Sequence, residues 1–173
     1  QFVKRDYMNK WIPYPRFLIR KNIIKSILKE EDLNGKKGIE IGFGSGEMLI
    51  YFFRRKISIS GFDESDLANN LAKERLVQHN CTVELYESFQ NIPMNYFDFI
   101  FSFEVLEHIK DDSIALDNWL KILRKDGKIL LSVPAHQRRF GNIDLSVGHY
   151  RRYDKISLIN LLTSKGLQVC KFW

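Results

Sequence analysis

The run Gly38-Ile39-Glu40-Ile41-Gly42-Phe43-Gly44-Ser45-Gly46 constrains this chain more than any other. An apolar segment that runs into three alternating glycines reads as a buried strand leaving through a sharp turn into a helix. Such a turn frees backbone amides at the helix start, and those amides can lie against a nucleotide-like ligand. Gly42 permits the exit from the strand, Gly44 lets the main chain approach a ligand, and Gly46 lets helix and strand pack closely. The spacing is G-x-G-x-G, not the G-x-G-x-x-G of dinucleotide sites. Glu40 stands two residues before the first glycine. A carboxylate there faces a cationic group better than a pyrophosphate, because like charges repel. Taken alone, the glycines also fit a purely structural turn.

A second acid strengthens the ligand reading. Ile57-Ser58-Ile59-Ser60-Gly61-Phe62-Asp63 alternates like a strand and ends in Asp63, 21 residues beyond Gly42. That is close to the ~20-residue offset at which an acid reaches a ribose diol. Asp63 or Ser65 is also placed to cap the helix that follows.

The remaining pattern alternates strands with helices. Expected strands are Gly38–Ile41, Ile57–Phe62, Thr82–Tyr86, Phe97–Phe103, Lys128–Val133 and Leu167–Trp173. Expected helices run from about Glu47 to Phe53, from Asp66 to Gln78 with Leu67, Leu71 and Ala72 inward, and over Ser113–Leu123. A last helix, capped by Asp154, turns Ile156, Ile159 and Leu162 inward. Asp126-Gly127 reads as a turn. This order predicts an α/β fold: a Rossmann-like, doubly wound, mostly parallel sheet with helices on both faces. Ligands of such sheets bind at the carboxyl ends of the strands, where Glu40, Asp63, Glu104 and the loop after Pro134 all fall.

At 173 residues the chain fits one domain, with 1–35 as a helical lid segment and 36–173 as a ligand-binding core. No apolar run is long enough to span a bilayer. Cys81 and Cys170 have neither C-x-x-C spacing nor a metal pattern, which suits a reducing compartment and an expected cytoplasmic location. The net charge of +6 tolerates an anionic substrate.

Together these segments resemble the class I S-adenosylmethionine-dependent methyltransferases from about Lys36 to Gly166. The segments are Glu40–Gly46, Gly61–Asp63, Phe97–Ile100 leading into Glu104-Val105-Leu106-Glu107-His108-Ile109, and Leu123–Pro134. The resemblance implies S-adenosylmethionine as cofactor, with Glu40 and the glycines Gly42, Gly44 and Gly46 at its methionine end. It implies Asp63, with Glu64 beside it, at the ribose, and Glu104 beside the cofactor. Where the family offers an acid near the adenine, this chain has Ser88, next to Phe89, which can stack instead. The family sheet carries a seventh, antiparallel strand. The chain is expected to lack it, to be a fragment of a longer protein, and to expose a sheet edge through which a homodimer could form.

Chemistry is expected from the loop after the fifth strand. Its Gly148-His149-Tyr150-Arg151-Arg152-Tyr153 is similar to a subset of these methyltransferases linked to polysaccharide and other surface-glycan pathways. An oxygen acceptor must lose a proton to a base, and His149 is the first candidate, with His108 second. The other reading makes His149 a structural hydrogen-bonder and pairs Asp144 with an arginine. Arg138, Arg151 and Arg152 suit an anionic acceptor, since guanidinium forks match carboxylate and phosphate; bracing is the other role for Arg152. Tyr7 and Trp11 are expected to contribute to a lid over the acceptor. Glu104, Glu107 and His108 share the spacing of one helical face and could grip a divalent ion, but no metal is expected. The expectation is thus methyl transfer to a small-molecule or glycan-intermediate acceptor at oxygen. The alternatives are an RNA or protein methyltransferase, or a nicotinamide-dependent oxidoreductase. Nucleic acid is not an expected partner, since no Pro-Pro-Tyr/Trp element follows the fourth strand and no appended nucleic-acid domain is visible.

Overall fold

The computed structural model describes residues 35–172, together with 21–22, 24–26 and 33. The chain divides into two compact units, residues 1–33 and 34–173. In the first, 21–22 and 24–26 are helical. Tyr7, Trp11, Tyr14 and Phe17 lie outside the described residues.

In the second unit the strands are β1 (Lys37–Ile41), β2 (Ser58–Phe62), β3 (Glu84–Tyr86), β4 (Phe97–Phe103) and β5 (Leu123–Ser132). They form one sheet in the order β3-β2-β1-β4-β5. Every pairing is parallel. The helices are α1 (Glu47–Arg54), α2 (Asp66–Gln78), α3 (Asp112–Ile122), α4 (Asn142–Ser146) and α5 (Lys155–Ser164).

A parallel sheet must be covered on both faces, because crossover helices lie over each of them. Ile39 pairs with Ile100 in register, so both point to one face. There they join Leu116 and Trp119 of α3 and Leu158 of α5 in one buried cluster. Gly38 and Glu40 pair with Phe99 and Phe101 and share the opposite face. On that face Phe99, Phe101 and Phe103 stack along β4. Phe52 of α1 sits 4.5 Å from Phe101, ring centre to ring centre. Gly38 has no room for a side chain: a Cβ would stand 2.9 Å from the Phe101 ring.

Several expected details differ. On α2 the inward residues are Ala72 and Leu76, while Leu67 is 78% and Leu71 43% exposed. Leu67 and Leu71 lie on the face opposite the Ala72–Leu76 stripe, and Ala72 is placed where a Cβ on Gly46 would stand only 3.1 Å away. A leucine would not fit that approach. On α5 the buried residue is Leu158, with Leu161 and Leu162 packed against the core, while Ile156 points outward. Asp154 is the N-cap of α5 as expected, its N–H donating to Ser157 Oγ (3.1 Å) in a capping box, and its carboxylate also accepts from the Gln137 amide. The expected turn at Asp126-Gly127 is a bulge inside β5, where the register jumps from Phe97↔Leu123 to Phe99↔Lys128 and Asp126 takes φ +62°. Leu167–Phe172 forms no strand. A strand exists only through its neighbour's hydrogen bonds, and no sheet partner lies beside that segment among the described residues. No helix among the described residues is long and apolar enough to cross a membrane.

Candidate functional site

The carboxyl ends of β1, β2 and β4 converge, as parallel strands in this order require. Glu40 is buried on β1. The following loop is fixed by its neighbours: Gly42 N–H donates to Phe62 O (2.8 Å) and Gly46 N–H to Phe43 O (2.9 Å). Gly42 is also glycine for lack of space, since a Cβ there would overlap Val105. Asp63 at the end of β2 ties the two strands' loops together. Its Oδ2 accepts from Gly44 N–H (2.8 Å) and its Oδ1 from Ser65 N–H (2.9 Å). Ser65 caps α2 by accepting from Ala68 N–H (3.3 Å), so one residue caps and the other is left to bind. Each Asp63 oxygen keeps a second lone pair for a ligand hydroxyl. Glu64, next along, is exposed. A Cβ on Gly44 would meet nothing within 4 Å, so open space lies above this stretch of main chain.

Glu104 marks the end of β4. It holds φ +58°, a region that costs a non-glycine residue of order 1–3 kcal/mol. Ser132 of β5 secures it twice: Glu104 N–H donates to Ser132 O (2.9 Å), and Ser132 Oγ donates to Glu104 Oε1 (2.9 Å). Phe89 packs edge-on against Phe62 with centroids 5.5 Å apart. Ser88 hydrogen-bonds Gln90.

A second group forms where the turn after β4 meets the loop after β5. Asp144 is buried, and its oxygens accept from Arg152 Nε (2.8 Å) and Gly141 N–H (3.0 Å). Oδ1 also lies 3.0 Å from His149 Nδ1. Burial pushes the Asp144 carboxyl up, but the bonds from Arg152, Gly141 and His149 outweigh it and hold the group below its ordinary range. Asp144 is therefore ionised at neutral pH, which assigns the Nδ1 proton to His149 as donor. On the other side of that ring, Nε2 is 3.9 Å from Oε1 of the buried Glu107. The His108 ring meets the His149 ring edge-on at 4.6 Å. Burial, then the neighbouring His149, push the His108 imidazole below its ordinary value against the opposing pull of Gly148 and Glu104, so it is neutral at pH 7.

The E-x-x-E-H spacing therefore divides. Glu104 turns to Ser132, while Glu107 and His108 turn to His149. Glu107, His108 and His149 offer three ligand atoms within 4.8 Å of one another, a donor set that suits a borderline divalent cation. The arginines divide as well. Arg152 braces Asp144, and Arg151 pairs with Asp112 (2.7 Å) while donating to Lys110 O (2.5 Å). Arg138 is exposed on the short turn before α4.

A family profile described as a methyltransferase domain matches residues 14–171. The chain belongs to the S-adenosylmethionine-dependent methyltransferase family. It is 26% identical over 118 residues to a ubiquinone biosynthesis O-methyltransferase of Nitrosomonas europaea, covering 66% of this chain and 49% of that protein. It is 29% identical over 102 residues to phosphoethanolamine N-methyltransferase 1 of Arabidopsis thaliana, covering 57% of this chain and 21% of that one. The chain thus spans half or less of these relatives. Its fold matches that of magnesium protoporphyrin IX methyltransferase from Synechocystis PCC 6803 with bound SAH. The TM-score is 0.73 at 13% identity, over 89% of this chain and 74% of that one.

S-adenosylmethionine is the cofactor of this methyltransferase domain, and the residues present fit it. A buried carboxylate, an acid with free lone pairs and an open main-chain shelf at Gly44 meet at one end of the sheet. Two contributors had no signal in the sequence. Ser132 is an unremarked strand residue that becomes important through its pairing with Phe103 and Glu104. Val105 matters only through its packing on Gly42.

Proposed function

We propose that this methyltransferase domain moves a methyl group to an oxygen of a small-molecule or glycan-intermediate acceptor, with His149 taking the acceptor's proton. The Asp144–His149 pair carries the reading. A buried, ionised carboxylate holds Nδ1–H, so Nε2 is the basic atom, as in catalytic dyads on unrelated folds. Glu107 then flanks the ring on the side that receives the proton. An amine acceptor needs no such base, which favours oxygen; the relatives' own names divide between an O-methyltransferase and an N-methyltransferase.

The cofactor, when bound, supplies an already activated methyl group. This chain's residues bind and orient. Glu40 faces the cationic methionine end, the Gly42–Gly46 main chain lies along the ligand, and Asp63 accepts from the ribose hydroxyls, with Glu64 at the rim. Ser88 and Phe89 flank the adenine, and Glu104 borders the reacting end. Arg138 is free to meet an anionic group of the acceptor, whereas Arg151 and Arg152 hold the loop that carries His149. His149→Ala is expected to leave S-adenosylhomocysteine affinity unchanged in calorimetry and to lower turnover by about 10²–10⁴-fold. Turnover equal to the parent across hydroxyl acceptors would remove His149 from the chemistry.

One observation favours a second reading, in which the same cluster holds a divalent ion. Asp144 stands behind His149 Nδ1 and the Gly148 main chain behind the His108 ring, the outer-shell arrangement that orients histidine ligands. Loss of turnover on chelation, restored by zinc or magnesium, would favour the ion over the free base.

A further inference from the structure

The loop that carries His149 is inside out. In α4 the buried residue is Asp144, at 2% exposure, while Ile143 is 77% and Leu145 61% exposed. Val147 and Tyr150, just beyond, are both 53% exposed. Aliphatic side chains gain by leaving water and carboxylates lose by it, so a segment folded for water alone would have the opposite arrangement. Nor is it free to invert. Asp144 is pinned by Gly141, His149 and Arg152. His149 N–H donates to Asp144 O (2.9 Å) and Tyr150 N–H to Glu107 O (2.8 Å). The buried charge network therefore holds the apolar side chains outward.

Within Pro134–Tyr153 the exposed charges have one sign, and the exposed acid at its edge, Asp154, is held by the Gln137 amide (3.1 Å). Asp144 is the only acid between Pro134 and Tyr153, and it is buried and paired. Arg138 and Arg139 are exposed on the turn immediately before α4, in a chain of net charge +6. Outward aliphatic and aromatic residues beside exposed cations, with no exposed anion within residues 137–150, complement an anionic lipid surface: the apolar groups enter the headgroup boundary and the guanidinium groups meet the phosphates.

We propose that the Gln137–Tyr150 face docks on an anionic lipid surface, with Ile143, Leu145, Val147 and Tyr150 in the interface and Arg138 and Arg139 on the headgroups. This goes beyond the methyl-transfer reading and does not depend on it, but docking would set the loop of His149 at the lipid boundary.

Co-sedimentation of the purified chain with vesicles tests it, comparing phosphatidylcholine alone with a phosphatidylcholine–phosphatidylglycerol mixture at low and high salt. The expected result is binding to the anionic vesicles that weakens with salt. Ile143→Ser with Leu145→Ser should lower the partition coefficient roughly tenfold, and Arg138→Gln with Arg139→Gln should abolish the preference for the anionic mixture. Circular dichroism and the S-adenosylhomocysteine thermal shift should be unchanged in the Ile143/Leu145 variant, since both side chains are exposed. Failure to bind either vesicle overturns the proposal. Binding that neither pair alters assigns it to another part of the chain and also overturns it. A lipid-free dimer that Ile143→Ser with Leu145→Ser converts to monomer would give the face to a second copy instead.

Discussion

Replacing Gly44 by alanine separates the fold from the ligand site. Gly44 has φ +54° and open space where a Cβ would stand. An alanine there meets no protein atom, and its N–H can still donate to Asp63. Folding then bears only the left-handed backbone term, about 1–2 kcal/mol. Gly35 has φ +68° and equally open surroundings, but precedes β1 at the end away from the glycine loop. Gly35→Ala therefore measures the backbone term alone. In a domain of this size 1 kcal/mol moves Tm by about 2–4 °C, so both variants should melt about 2–8 °C below the parent. S-adenosylhomocysteine at a hundredfold its Kd should add about 2.7 kcal/mol, or about 5–11 °C on the same scale. Gly35→Ala should keep that increment. Gly44→Ala should lose most of it, because the methyl fills the space the ligand needs. Differential scanning fluorimetry with and without the ligand reads both quantities. A full ligand-induced shift in Gly44→Ala would show that the ligand does not lie on this main chain, and the cofactor assignment of the loop would fail with it.

Three other outcomes follow from particular contacts. Asp144→Asn puts an amide where three donors converge, so turnover should drop by about 10²-fold or more while cofactor affinity stays constant; steady-state kinetics with calorimetry checks both, and parent-like turnover would deny His149 its orienting partner. His108 has a pKa lowered by burial. Between that lowered value and the ordinary 6.5, the unfolded chain binds a proton that the folded chain refuses. Stability should therefore fall as pH drops below 6.5, and His108→Gln should flatten that part of a urea-midpoint profile. Phe52→Ala removes a fully buried ring packed at a tilt against Phe101 and should cost about 3–5 kcal/mol in chemical denaturation.

Much of the geometry around the glycine loop was legible because its parts are local. A glycine turn after a strand, an acid two residues before it and another at the next strand's end have meaning in sequence spacing alone, and the parallel sheet brings them together without further instruction. Helix faces were read less well. Leu67 and Leu71 look like core residues by composition, yet the inward stripe of α2 is chosen by what Gly46 can accept, and that is Ala72. The spacing of apolar residues within one helix carries no record of the surface that helix will meet.

The sequence by itself determined the alternation of strands and helices, the parallel sheet and the glycine shelf with its two carboxylates, because each follows from side-chain period and backbone freedom over a few residues. Tertiary structure decided which distant groups touch. Glu104 and Glu107, neighbours on one turn, part company, one held by Ser132 and the other facing His149. Asp144, His149, His108 and Glu107 become one cluster only when the loop after β5 folds back on the turn after β4. No spacing rule encodes such a contact, because it depends on the sheet fixing where both loops begin.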